Sequence, residues 1–231
     1  MTLKLGDKFP NFSCMTSHGK IDDFHQWLGS SWGILFSHPA DFTPVCTTEL
    51  AKAVELAPEF EKRNVKMIAL SIDDEVSHVK WCDDIIAYGK HVGTLKNFNE
   101  QTSFPFPIIA DVNRELAIKL GMLDPEEIGP DGMPLTARSV FVIGPSKEVK
   151  LTILYPATTG RNFDEILRVI DSLQLTAVKK VATPVNWQNG DKCMVVPSLS
   201  ETDAEKLFGK NIDLIDVPSK KKYIRLTPMP Q

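Results

Sequence analysis

Apolar residues in this chain fall into short continuous runs separated by stretches of helical period. Trp32-Gly33-Ile34-Leu35-Phe36-Ser37 and Val65-Lys66-Met67-Ile68-Ala69-Leu70-Ser71 have the mostly apolar pattern of strands covered on both faces, and Phe106–Asp111 is a shorter one. Arg138–Ile143 and Val149–Tyr155 flank Gly144-Pro145-Ser146-Lys147, which predicts an antiparallel hairpin. Helices are expected over Thr47–Leu56, from Val76 to about Tyr88, over Arg114–Leu120 with Gly121 as its stop, and from about Asn162 to Leu175. Strands of both directions with helices between them make an α/β sandwich. Composition shifts near Thr183-Pro184, so the expected organisation is one domain over 1–184 and a smaller one over 185–231, with a strand at Met194–Val196 and a helix at Thr202–Phe208. A segment close to the ~40-residue limit builds a poor core alone and is expected to pack against another surface.

Composition removes several function classes. With 42% hydrophobic and 24% charged residues and a net charge of -4, the chain has the balance of an ordinary globular protein and no electrostatic case for nucleic acid. The Lys220-Lys221-Lys222 run reads as a solvated turn. No apolar stretch approaches the roughly 20 residues needed to cross a bilayer. The N-terminal Met1–Asp7 lacks the apolar core of a signal peptide and the character of a transit peptide, so a reducing cytoplasm is expected.

The four cysteines, at 14, 46, 82 and 193, contain no C-x-x-C, which argues against a dithiol oxidoreductase and against zinc-ribbon spacing. Cys82 falls in register with Val79 and Ile86 on a helix and Cys14 alternates with Phe12 on a strand, so both read as core. His78 and Cys82 form an i, i+4 pair that could share a metal, but no further ligands lie nearby in sequence and no metal is expected.

Cys46 differs from the other three. The run His38-Pro39-Ala40-Asp41-Phe42-Thr43-Pro44-Val45-Cys46 carries it from a buried strand into the first turn of a helix, where unpaired N–H groups and the helix dipole favour an anion. Thr43 places a hydroxyl three residues before the sulfur, and Pro39 and Pro44 restrict the loop.

At these residues the chain resembles the peroxiredoxins, whose P-x-x-x-T-x-x-C pattern stands here as Pro39, Thr43 and Cys46. The resemblance extends to Thr136-Ala137-Arg138, to Tyr155–Phe163 and to Thr183–Trp187, and so spans essentially the whole chain; it is strongest with the one-cysteine subgroup. It implies a thioredoxin-like core with a C-terminal dimerisation domain, a homodimer, and reduction of hydrogen peroxide and of organic and phospholipid hydroperoxides. It assigns Cys46 as nucleophile, Thr43 as hydrogen-bonding partner of sulfur and peroxide, Pro39 as shield of the pocket and Arg138 as the guanidinium beside the sulfur. Glu49 and Arg161 would orient the site, and His38 would line its mouth. No Val-Cys-Pro resolving motif is present, and Cys193 in Asp191-Lys192-Cys193-Met194 does not match one. The resemblance therefore implies no bound cofactor and an external thiol reductant, glutathione first, with ascorbate or another reductant open.

Acidity alone does not make such a cysteine fast. Lowering a thiol from pKa about 8.5 to about 6 raises the thiolate at pH 7.4 about 13-fold, yet intrinsic nucleophilicity falls some 10- to 18-fold over the same change. Donors must therefore stabilise the charge that builds on the departing oxygen, and Thr43, Arg138 and backbone N–H groups near Cys46 are the expected ones.

A second chemistry is suggested by Gly29-Ser30-Ser31-Trp32-Gly33, a G-x-S-x-G match with His25 six residues before Ser31. One-cysteine peroxiredoxins carrying this motif are associated with phospholipase A2 activity through a Ser/His/Asp set. Here the third position holds Ser146, and the motif precedes a strand instead of forming a strand-to-helix elbow, so a glycine-rich turn is the expected reading. Asp22 and Asp23 are the nearest carboxylates in sequence that could orient His25.

Overall fold

The computed structural model describes residues 3–96, 98–99 and 103–231; Met1 and Thr2 of the N-terminal stretch lie outside the described residues. The chain opens with a hairpin, β1 (Cys14–Thr16) and β2 (Gly19–Ile21), and a short helix α1 (Phe24–Leu28), followed by β3 (Trp32–Ser37), α2 (Pro44–Lys62), β4 (Val65–Ser71), α3 (Glu75–Val92), β5 (Ile108–Ala110) and α4 (Glu115–Leu120). Next come β6 (Leu123–Ile128), β7 (Pro134–Thr136), β8 (Arg138–Ile143), β9 (Val149–Tyr155) and α5 (Phe163–Val178). The remainder holds β10 (Val181–Ala182), β11 (Cys193–Val195), α6 (Glu201–Phe208), β12 (Asp213–Leu214) and β13 (Arg225–Thr227).

Two compact units divide the chain, residues 1–163 and 164–231. In the first, a seven-stranded sheet runs β2-β1-β5-β4-β3-β8-β9, with β3, β4 and β5 mutually parallel and β8 antiparallel to β3. All six residues of β3 are buried, as expected of a central strand covered on both faces. Leu35 joins the cluster of Phe9, Phe24, Ile68, Leu70 and Phe141, while Phe36, one step along the pleat, meets Phe106 and Phe163 edge-on at centroid distances of 5.5 and 5.7 Å. The predicted hairpin is present, with Arg138 paired to Tyr155.

Several elements depart from the sequence expectation. Helix α3 buries His78, Trp81, Ile85 and Gly89, so the expected register of Cys82 with Val79 and Ile86 is displaced: Cys82 flanks the buried face and Val79 is 53% exposed. Periodicity tied to aliphatic residues missed that a histidine and a tryptophan carry this face. Cys14 is likewise half-buried, on β1, and Phe12 lies before the strand. The β6–β7 pair has no apolar alternation and was not expected; it is half-exposed.

The second unit holds a four-stranded sheet, β10-β11-β13-β12, over a small cluster of Val181, Trp187 and Cys193 with Leu175, Phe208 and Met229. Because β10 pairs with β11, backbone pairing crosses the Thr183-Pro184 position at which a linker is expected. Trp187 donates its indole N–H to Asp191 O at 3.1 Å, and Arg225 Nη2 donates to Val196 O and Leu199 O. Among the described residues, no helix is long and apolar enough to cross a membrane.

Candidate active site

Strand β3 ends at Ser37, and the loop 38–43 carries the chain to α2, whose N-cap is Thr43 and whose first residue is Pro44. Proline at that position sacrifices no hydrogen bond, because first-turn N–H groups have no intrahelical acceptor. Cys46 follows in the same turn and is fully buried. Its amide is one of these uncommitted donors, and Thr47 N is the first to bond back, to Thr43 O at 3.0 Å.

Arg138, the first residue of β8, reaches the sulfur from the sheet: Nη1 lies 3.4 Å from Cys46 Sγ. The same nitrogen donates to Glu49 Oε2 at 2.7 Å, while Nε and Nη2 both donate to Ala157 O, at 2.9 and 2.6 Å. Glu49 sits one helical turn after Cys46 and accepts from Arg161 N, Nε and Nη2 at 2.6, 2.9 and 2.8 Å. Arg161 Nη1 also donates to Ser139 O, and its guanidinium lies 5.7 Å from each of the Phe36 and Phe163 rings. Burial alone would raise the Glu49 carboxyl, but Arg161 first and Arg138 second hold it below the usual range. Two buried arginines sharing one buried carboxylate leave net positive charge beside the sulfur.

Cys46, Arg138, Glu49 and Arg161 are thus brought together, and Pro39 is buried in the same loop. Thr43 differs in detail from the expectation. Its hydroxyl donates to Ala40 O at 2.8 Å, so its proton is committed within the loop and its lone pairs remain as acceptors. His38, expected at the mouth, is fully buried: Nε2 donates to Asp41 Oδ1 at 3.0 Å and its main-chain oxygen accepts from Thr136 Oγ1 at 2.5 Å. Burial holds His38 below the ordinary histidine pKa, against the opposing pull of Asp41.

Sequence reasoning missed the roles of Asp41 and His78. Asp41 accepts from His38, from His78 Nδ1 at 2.7 Å and from Ser77 Oγ at 2.8 Å, and its backbone N–H donates to Asp73. Burial would raise this carboxyl, yet the His38 and His78 hydrogen bonds hold it well below the usual carboxylate range. His78 faces Asp41 and Ile109 O. Ligand atoms of His38, Asp41 and Asp73 lie within 4.8 Å of one another, but both carboxylates already accept from N–H and O–H donors, His38 Nε2–H among them. The signal available in sequence was an aspartate inside a loop that also carries a histidine.

The other thiols sit in different surroundings. Burial first, then Asp111, pushes Cys14 up to about 12; burial, with Asp41 and Asp83, pushes Cys82 up to about 12; burial raises Cys193. The hydrolase pair is not assembled: Ser31 Oγ donates to Asn64 Oδ1 at 2.8 Å and the His25 ring pairs with Phe9 O at 2.8 Å. Asp23 caps α1 by accepting from Gln26 N, Asp22 pairs with Lys20, and Ser146 is an exposed turn residue.

Residues 5–152 match the AhpC/TSA family, and residues 172–211 match the C-terminal domain of 1-Cys peroxiredoxin. The chain is 64% identical over 229 residues to peroxiredoxin-6 of Gallus gallus, covering 99% of both chains. It is 60% identical over 233 residues to a 1-Cys peroxiredoxin of Dirofilaria immitis, covering 98% of this chain and 97% of that one. Among solved structures, it is similar to a cysteine-to-serine mutant of peroxiredoxin 6 from Arenicola marina, with TM-score 0.92, 56% identity and 99% of each chain covered. A yeast mitochondrial 1-Cys peroxiredoxin, whose thiol resolving mechanism is described as proceeding via glutathione/thioredoxin systems, matches with TM-score 0.84 and 44% identity, covering 98% of this chain and 100% of that one.

Proposed function

The chain belongs to the AhpC/TSA family, in its one-cysteine peroxiredoxin subgroup with a thioredoxin-like fold, and from that premise of thiol peroxidase activity we propose how its own residues perform the reaction. Cys46 thiolate attacks one peroxide oxygen; an S–O bond forms as the O–O bond breaks, and the departing oxygen leaves as water or an alcohol after taking a proton. The observation that carries this reading is the Arg138 guanidinium 3.4 Å from a sulfur in the first turn of α2. That cation, backed by Arg161 through Glu49, stabilises the thiolate and then the charge on the leaving oxygen. Thr43, with its proton spent on Ala40 O, accepts the peroxide O–H and so aligns the substrate. Pro39 shields the pocket, and His38 supports it from within.

Hydrogen peroxide and organic and phospholipid hydroperoxides are the proposed substrates. One external thiol condenses with the Cys46 sulfenic acid to a mixed disulfide and water, and a second thiol displaces Cys46 as the free thiol. Glutathione is the proposed reductant, in keeping with the systems named for the yeast relative. No bound cofactor takes part. A homodimer is proposed through the C-terminal region, in keeping with its match to a one-cysteine peroxiredoxin domain, and a reducing compartment such as the cytoplasm suits the chemistry. Among the described residues, no contact of Ser31 or His25 favours an added phospholipase activity.

The test is peroxide consumption with dithiothreitol and with glutathione. Cys46→Ser abolishes turnover, while Cys14→Ser and Cys82→Ser retain most of it. Full activity in Cys46→Ser ends this reading. So does rapid, stoichiometric disulfide formation between Cys46 and Cys193 that is lost in Cys193→Ser, for the external-thiol step.

A further inference from the structure

The loop that delivers Cys46 is held against its own backbone preference. Phe42, at its tip, has φ of +52° and is 55% exposed, so its own burial does not account for this left-handed conformation. Besides the bonds from Asp41 N to Asp73 and from Thr136 to His38 O, three side chains of α3 hold it. Ser77 Oγ and His78 Nδ1 donate to Asp41 Oδ2 at 2.8 and 2.7 Å, and Trp81 Nε1 donates to Thr47 Oγ1 at 3.2 Å. Thr47 Oγ1 in turn donates to Thr43 O at 2.8 Å. The gripped positions, 41 and 47, bracket Thr43 and Cys46.

His78 is itself fixed to the sheet, because its Nε2 pairs with Ile109 O at 3.1 Å. Its two ring nitrogens thus lie within hydrogen-bond distance of two different acceptors, one on the loop and one on the sheet. On the other side of Asp41, the bond from His38 Nε2 leaves His38 Nδ1 as a buried nitrogen with no hydrogen-bond partner among the described residues. The Trp81 ring packs 5.0 Å from the His38 ring. The chain from sheet to loop runs Ile109 O, His78, Asp41, His38, and every link is fully or almost fully buried.

We propose that Asp41 and His78 are positioning residues of the peroxidase reaction: the hydrogen bond from His78 Nδ1 to Asp41 pins the 38–43 loop to α3 so that Thr43 and the Cys46 thiolate meet the peroxide in register. Neither residue touches the sulfur in the structure; they act through the loop. A misplacement of about 1 Å in a reacting group costs on the order of 100-fold in rate, so loss of the pin is expected to slow the sulfur without removing it.

The two nitrogens of His78 allow a test that packing alone would not pass. His78→Asn keeps an N–H donor near the Nδ1 position and thus the bond to Asp41; His78→Gln keeps a donor near the Nε2 position and thus the bond to Ile109 O instead. The full chain is reduced, and the second-order rate of Cys46 oxidation by hydrogen peroxide is measured where the ultraviolet thiolate absorbance has reached its plateau, with urea midpoints taken in parallel. The expected result is His78→Asn within about threefold of wild type and His78→Gln at least about tenfold slower, whatever the order of their midpoints. Equal rates in the two variants, or rates that simply follow the midpoints, overturn the proposal. Asp41→Asn, which keeps the size of the side chain but exchanges one acceptor for a donor, provides the second arm: at least a tenfold loss is expected, and a wild-type rate overturns the proposal. The proposal rests on Cys46 as nucleophile, and Cys46→Ser tests that separately, since residual peroxide consumption there would defeat the mechanism and not the pin.

Discussion

Arg138→Lys separates two jobs that the guanidinium performs at once. Arginine has five N–H bonds. The structure commits four, to Cys46 Sγ, to Glu49 Oε2 and twice to Ala157 O, leaving one on Nη2 for the departing peroxide oxygen. Lysine keeps the positive charge but offers three N–H bonds from one point, which cannot span the sulfur, Glu49 and Ala157 and still meet the substrate. Much of the charge that favours a thiolate is retained, whereas a directed donor in the transition state is lost. Removing one such donor costs about 2 to 4 kcal/mol, or roughly 30- to 1,000-fold in rate. The assay is stopped-flow oxidation of Cys46 by hydrogen peroxide across pH, with thiolate absorbance followed in the same samples. The expected outcome is a plateau rate that stays at least 30-fold below wild type at high pH, where ionisation no longer limits. If Arg138→Lys recovers the wild-type plateau, the arginine only assists ionisation and the transition-state argument is wrong.

The remaining predictions concern the supporting charges and the tail. Glu49→Gln leaves two buried guanidinium groups, Arg138 and Arg161, without their shared carboxylate, and is expected to destabilise the fold by about 3 to 5 kcal/mol in urea titration; no loss of stability would mean the pair repays nothing of its burial. Asp41 and Glu49 titrate below their ordinary range in the folded chain, so their contribution is complete above the unfolded carboxylate pKa and is lost as pH falls through the folded values. His38, also depressed, adds a loss of the same sign as pH falls below the ordinary histidine range, so urea midpoints are expected to decline from pH 7 toward pH 3, less steeply in Glu49→Gln. A flat profile would show that these groups do not differ between folded and unfolded chains. Deleting residues 185–231 removes β11, β12, β13 and Trp187 from the second unit's cluster and is expected to give monomers or aggregates in sedimentation; a stable truncated dimer would place the interface elsewhere.

What the sequence by itself determined was the part of the protein written in local pattern. Strands β3, β4 and β8 were legible because continuous apolar runs need two covered faces, the half-exposed edge strand β9 because the turn at 144–147 pairs it with β8, and the middle of α2 because residues 47–56 keep a helical pattern, though the helix itself runs from Pro44 to Lys62. The candidate nucleophile followed from the same local reading, since a cysteine in a first helical turn meets uncommitted N–H donors wherever the helix lies. Arg138, Glu49 and Arg161 were legible only through resemblance, because nothing in their spacing says that residues 89 and 112 positions apart share hydrogen bonds. Tertiary structure alone decided what each polar side chain bonds. Thr43 turned its proton to Ala40 O, Ser31 found Asn64, and His78 found Asp41 across 37 residues of sequence. The physical reason is that apolar burial is non-directional and leaves a periodic trace in the chain, whereas a buried hydrogen bond is directional and satisfied by whichever donor or acceptor the fold brings within about 3 Å.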